Sequence, residues 1–276
     1  MSGRLVLVGT PIGNLGDLSP RARSALSEAD LIVAEDSRVA RKLCVLSGIA
    51  ARSIRSYQGV GRITGEQVGD LLEGGATVAL VSDAGMPGVS DPGAEFVGIA
   101  YGAGVPVEVV PGPSAVAAAV ALWPETVASF CFLGFAPKRQ QERKRFLADL
   151  LRSERLTVFF DSPNRVCSTL EELAGLEPGR MVLACRELTK LHEEASFLAA
   201  EQALAWARER PARGEWVLAV APGEPRELLD FSFVIEKVAA TRLGTKEAAE
   251  LASALSDMPV KVAYAAILGL RGAAPV

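Results

Sequence analysis

The stretch "EDSR" gathers Glu35, Asp36 and Arg38 directly after an apolar run. "CRELTKLHEE" places Glu187 and Lys190 beside the only histidine of the chain, His192. These side chains suit proton transfer. A carboxylate, or a lysine whose pKa is lowered by burial or a neighbouring cation, can take a hydroxyl proton within hydrogen-bond reach. Each also has a simpler use. Asp36 is placed to cap a helix formed by "SRVARKLCVL", and Glu193 and Glu194 favour a protonated Lys190 that touches phosphate. His192 has no partner identifiable from sequence, so it reads as a surface or packing residue.

Three further loops stand out. "GTPIGNLGD" has glycines at Gly9, Gly13 and Gly16, but this is neither G-x-G-x-x-G nor a P-loop, and Pro11 removes one N–H from any phosphate cradle. "SDAGMPGVSDPG" contains Asp83, and "PGPSA" contains Ser114, which is also a natural N-cap for the helix "SAVAAAVAL". In an open α/β sheet, ligands bind outside the carboxyl ends of the strands. Four unusual loops at successive strand ends therefore point to one site.

The elements that must hold these loops are legible as alternation. "RLVLV", "DLIVA", "ATVALV" and "VPVEVV" are continuous apolar runs, each followed by an amphipathic stretch, as in a parallel sheet covered on both faces. Ser19-Pro20 marks a helix start, Thr64 with Gln67 forms a capping box, and Gly48 and Gly74 stand at helix ends. Near "LWPETVASF" the alternation pauses. A second series follows: "FCFLGF", "LTVFFD", "MVLACREL" and "EWVLAV". The reading is two α/β domains, residues 1–123 and 124–222, then a helical region over 223–276.

Composition narrows the classes. Apolar residues make up 49% and charged residues 22%, which excludes a disordered chain, and a net charge of −4 means that any nucleic-acid contact needs local patches. One such patch is "PKRQQERKRF", with Lys138, Arg139, Arg143, Lys144 and Arg145, though a solvated helix face explains such a run equally. Cys44, Cys131, Cys167 and Cys185 are scattered without a C-x-x-C, so neither zinc nor a disulfide framework is expected. The most apolar window, Val105 to Trp123, is broken by "PGPS". A soluble cytoplasmic protein is the expectation.

Taken in order, "VGTPIGNLGDLSPRA", "AEDSR", "VSDAGMPGVSDPG", "VPGPSA" and "CRELTKLHEE" resemble the ribosomal RNA small-subunit methyltransferase I family of the tetrapyrrole methylase superfamily. The resemblance covers about residues 4–220, and the tail with Lys246 and Lys261 to Tyr264 looks like the family's helical C-terminal region. It implies a class III methyltransferase fold: an α/β protein with a mainly parallel N-terminal sheet, a mixed second sheet and a small helical tail. It also implies S-adenosylmethionine bound in the cleft between the domains, with no metal, and a homodimer. The implied substrate is 16S rRNA in the small ribosomal subunit, methylated on the ribose 2′-hydroxyl of a cytidine at the decoding centre. The glycine loop then becomes a wall of the methyl-transfer cleft.

By the same resemblance, Ile12, Asp83, Met86, Ser114, Ala115 and Phe160 match cofactor-pocket positions, although core packing alone would account for Met86, Ala115 and Phe160. Asp36, Glu187 and Lys190 are the catalytic candidates. Asn14, Arg38, Lys138, Arg139, Arg143, Lys144, Arg165 and Arg186 are the RNA-contact candidates. The chain departs from the family at Met86, where threonine is usual, and at Asp161 and Asn164, where glutamate and histidine are usual. "SYQGVGR", Ser56 to Arg62, replaces a His-Asn stretch. Asn164 does not titrate, so no mechanism can use a histidine there. Two alternatives stand beside this reading: a tetrapyrrole (precorrin) C-methyltransferase, whose first loop would resemble "GxGPGD", and a non-catalytic ribosome-binding homologue.

Overall fold

The computed structural model describes residues 3–59, 61–91, 93–223, 230–256 and 258–272. Val60 and Pro92, within two of the loops above, lie outside the described residues. Described residues up to Gly223 form one compact unit, and those from Asp230 onward form a second.

The first unit begins with β1 (Arg4–Val8), α1 (Pro20–Glu28), β2 (Leu31–Ala34), α2 (Ser37–Leu46), β3 (Ile54–Ser56), α3 (Gly65–Glu73), β4 (Thr77–Val81), α4 (Ala94–Gly102) and β5 (Val107–Val110). Its five strands pair in the order β3-β2-β4-β1-β5, all parallel. The inner strands β2 and β4 are buried almost throughout, which is why they read as unbroken apolar runs. Caps set the helix starts: Ser19 accepts from Ala22 N–H ahead of Pro20, and Thr64 and Gln67 make the reciprocal capping box. Gly48 takes the left-handed turn after α2, and Gly74 ends α3.

The chain continues through α5 (Ala115–Ala121), β6 (Phe130–Phe135), α6 (Gln140–Leu151), β7 (Leu156–Asp161), α7 (Val166–Leu176), β8 (Met181–Arg186), β9 (Glu194–Ala199), α8 (Ala200–Arg208) and β10 (Trp216–Val220). The second sheet has the order β6-β7-β10-β8-β9; β6 runs parallel to β7, and the other neighbours are antiparallel. This is the mixed sheet expected. Helix α5 follows the last strand of the first sheet but packs on the second, where Val116 and Ala119 meet Val158, Val217 and Ala219. The opposite face of that sheet is closed by α6, α7 and α8 around Leu147, Phe159, Leu170 and Leu218.

Two strands escape the sequence pattern. β3 is three residues long and half-buried at a sheet edge, and β9 alternates weakly behind the charged run "HEE". Edge strands bury only one face, so their apolar signal is thin. In the second unit, α9 (Phe231–Ala239), α10 (Thr245–Ser256) and α11 (Val260–Gly272) pack around Val234, Ala249 and Ile267. Among the described residues no helix is long and apolar enough to cross a membrane.

Candidate active site

The loops after β1 and β4 are locked by a reciprocal pair of backbone bonds. Thr10 N–H donates to Gly85 O at 2.9 Å, and Gly85 N–H donates to Thr10 O at 3.2 Å. This clamp forms one wall of a cavity of about 350 Å³. Ile12, Asp83, Met86, Ser114, Ala115 and Phe160 all line it, gathered from β1, β4, β5 and β7 loops or strand ends. Ser114 also caps α5, its Oγ accepting from Ala117 N–H at 3.4 Å. The capping use and the lining position therefore coexist. The far wall comes from the second sheet: Asp161, Ser162, Trp216 and Val217, with Phe135 at the rim.

Glu35, Asp83 and Asp91 crowd the parallel-sheet side. Desolvation raises the pKa of all three, with repulsion from Asp83 and Asp91 adding to it at Glu35, from Asp83 at Asp91 and from Asp36 at Asp83. Asp83 accepts from Asp36 N–H at 3.0 Å, and Glu35 accepts from the Gln58 amide at 3.2 Å. Raised carboxylates in a cleft are what a cationic or hydroxyl-rich ligand would relieve.

Asp36 itself behaves as a cap. Its carboxylate accepts from Arg38 N–H at 2.8 Å and forms a two-pronged pair with the Arg38 guanidinium. The Arg38 hydrogen bonds hold its pKa down at about 2, far from the value a general base needs. In this geometry Asp36 serves as the cap of α2, and Arg38 is paired with it. Lys190 is also held in ion pairs. Burial lowers its pKa, but bonds to Glu187 at 2.8 Å and Glu215 at 3.1 Å outweigh it and raise the pKa overall. It stays protonated. Burial lifts Glu187, while the Lys190 ammonium and Glu215 N–H pull it lower still, leaving a weak base. Gly13 lets the Lys190 stem cross the glycine loop, since a Cβ at residue 13 would lie 2.3 Å from Lys190 Cγ.

The RNA-contact candidates divide by burial. Lys138, Arg139, Lys144 and Arg145 are exposed, with Arg139 paired to Glu142 at 3.2 Å. Arg143 turns inward and grips Glu172 through two bonds, of 3.0 and 2.7 Å. Arg186 is buried between Glu194 and the Arg213 carbonyl. Arg165 is half-buried against Asp161 at 3.3 Å. Arg143 and Arg186 would reach a phosphate only by breaking these buried pairs. Asn14 uses its Oδ1 to accept from Gly16 N–H. His192 is exposed, and the four cysteines are free.

The model of the Tetrapyrrole (Corrin/Porphyrin) Methylases matches residues 4–205. Ribosomal RNA small subunit methyltransferase I of Mycobacterium tuberculosis is 38% identical over 278 residues, covering 98% of this chain and 96% of its own length. The protein of the same name from Thermotoga maritima is 43% identical over 196 residues, covering 70% of this chain and 86% of its own. The chain belongs to the ribosomal RNA small subunit methyltransferase I family. In fold it matches the crystal structure of uroporphyrin-III-C-methyltransferase from Thermus thermophilus, with a TM-score of 0.57 at 20% identity over 79% of this chain and 94% of that one. Cobalt precorrin-4 methyltransferase gives 0.57 at 19% identity, again over 79% and 94%.

For a methyltransferase of this family the cavity can be tested against S-adenosylmethionine by its donor set. Ile12, Met86, Ala115 and Phe160 offer apolar surface for a purine, and Asp83 offers a carboxylate for ribose hydroxyls or for positive charge. Ser162 Oγ, on a lining residue, is buried without a hydrogen-bond partner. A buried donor is costly until something accepts from it. The residues fit the group. Among the described residues no cluster of three or more His, Cys, Asp or Glu could hold a metal. Phe135, Asp91 and Trp216 are lining residues that motif reasoning did not single out, and Asp161 was noted only as a departure from the family pattern. Asp91 lay inside a quoted loop, whereas Trp216 enters only because β10 lies beside β7.

Proposed function

We propose that this chain is an S-adenosylmethionine-dependent rRNA (cytidine-2′-O-)-methyltransferase. It acts on a cytidine of 16S rRNA at the decoding centre, as a homodimer in the cytoplasm. The observation that carries the reading is similarity to proteins named ribosomal RNA small subunit methyltransferase I over 98% of the chain, converging on a cavity with a matching donor set.

The bound cofactor would supply an electrophilic methyl group on a sulfonium. Asp83 would hold its hydroxyls, while Ile12, Met86 and Phe160 wall the purine and Ala115 leaves room for close backbone approach. The protein's main contribution is orientation, because a hydroxyl oxygen held in line behind the methyl group removes much of the barrier. Lys190, fixed by Glu187 and Glu215, serves as a permanent cation for a phosphate or the ribose oxygen. Exposed Lys138, Arg139, Lys144 and Arg145 are the phosphate contacts. The hydroxyl proton leaves to water, since Asp36 and Lys190 are both held in ion pairs.

The test is methyl transfer from labelled cofactor to 30S particles, followed by mapping of the modified nucleotide. Ribose methylation at one cytidine is expected. Label on a base, or transfer to a tetrapyrrole with none to 30S particles, overturns the reading.

A further inference from the structure

Strand β6 carries one residue too many. Phe130, Cys131 and Phe132 pair in step with Leu156, Thr157 and Val158 of β7, but Phe135 pairs with Phe160 where unbroken register would put it opposite Asp161. The extra residue is a bulge, with Gly134 at a φ of +68°. Because side chains alternate between sheet faces, one added residue reverses the direction of everything after it. Without the bulge, Phe135 would point to the face packed by α6 and α7. With it, Phe135 shares the face of Val158 and Phe160 and lines the cavity.

The arrangement is held from both sides. A Cβ at Gly134 would sit 3.4 Å from Ser90 Oγ, so the β4–α4 loop abuts the bulge, and Ser90 is itself a non-glycine residue at a φ of +63°. A left-handed glycine at the bulge costs little, whereas left-handed Ser90 beside it at the cavity rim is strain, and together they set the direction of β6 there. What they aim is an aromatic ring that stays 58% exposed, meeting Phe160 at 5.3 Å and an interplanar angle of 64°. Burial cannot be its purpose.

We propose that Phe135 is the platform on which the base of the target nucleotide stacks, an assignment that rests on the function proposed above. The ribose that accepts the methyl group must enter the cavity, and its base, one glycosidic bond away, must then rest at the lip. Unpaired bases are held on aromatic side chains in single-stranded RNA recognition, and every base presents a π-face. Val89, 43% exposed beside the same opening, extends the apolar surface.

The experiment compares wild type, Phe135→Ala and Phe135→Trp in methyl transfer to 30S particles, with cofactor affinity measured by calorimetry. Phe135→Ala is expected to raise KM for 30S particles by about 5- to 100-fold, the range for losing one stacked base. Cofactor affinity should stay within twofold, and Phe135→Trp should recover most of the loss. An unchanged KM in Phe135→Ala overturns the proposal. So does an equal loss of cofactor affinity, which would assign the ring to the cofactor's adenine. A wild-type protein that transfers nothing to 30S particles overturns the function proposed above and the platform with it; an active wild type with an unchanged KM in Phe135→Ala overturns the platform alone.

Discussion

The two sheets treat charge differently. On the parallel-sheet side, Glu35, Asp83 and Asp91 form no ion pair among the described residues, Arg38, bonded to Asp36, offsets Asp83 only in part, and desolvation raises all three pKa values. Around the mixed sheet the charges are spoken for: Arg143 with Glu172, Arg186 and Arg210 with Glu194, Lys190 with Glu187 and Glu215. The first side leaves its carboxylates without an ion pair, whereas on the second even Asp161, whose pKa burial also raises, has Arg165 at 3.3 Å. A ligand carrying positive charge or hydroxyl donors gains most at the first, whereas the second supplies rigidity and one fixed ammonium.

The contrast breaks most visibly at Arg143. Its guanidinium and the Glu172 carboxylate are 7% and 12% exposed, so Arg143→Ala strands a buried carboxylate. A loss of about 3–5 kcal/mol in urea denaturation is expected. A loss below about 1 kcal/mol would put Arg143 back among the surface cations.

Asp83 tests the other side. Asp83→Asn is expected to weaken cofactor binding by about 10- to 100-fold, the worth of a hydrogen bond to a charged group. In the wild type, affinity should fall as pH falls through the raised Asp83 pKa, and the variant should flatten that dependence. The sign for the empty protein is opposite. A carboxylate whose pKa is higher folded than unfolded contributes stability below its unfolded pKa, and that stability is lost as pH rises through the folded one. Asp83→Asn should therefore make the ligand-free protein slightly more stable at pH 7. Loss of affinity together with loss of stability would mean that Asp83 only holds the loop.

Smaller effects are expected from exposed groups. Replacing Lys138, Arg139, Lys144 and Arg145 by alanine should flatten the salt dependence of RNA binding by roughly 0.7 in log–log slope per lost single-strand contact, with cofactor affinity unchanged. An unchanged slope would leave the run as a solvated helix face. The smallest change belongs to Asp36→Asn, which keeps the cap and gives up an exposed pair with Arg38. Turnover is expected to stay within about threefold of wild type. A fall of about 10²–10⁴-fold in a folded variant would restore Asp36 as the base.

Sequence alone was enough for the alternation of apolar runs and helices, the caps at Ser19, Thr64 and Ser114, and the loops that would meet, because these depend on neighbours within a few positions. The six residues matched to cofactor positions do share one cavity for the same reason: all sit at the ends of strands whose parallel or adjacent placement the pattern already implied. Tertiary structure alone decided charge and direction. Arg143 and Lys144 are consecutive in one basic run, yet helical spacing turns one into the α6–α7 contact and the other to solvent. Asp36 and Lys190 looked titratable; Arg38 and Glu187 stand two and three residues away in the sequence, but that these side chains turn onto them, and that Glu215 joins Lys190, came from the fold. Phe135 shows the limit most clearly. Its residue type is plain in the sequence, but the face it points to depends on one bulged residue and on Ser90, forty-four positions earlier, packed against it.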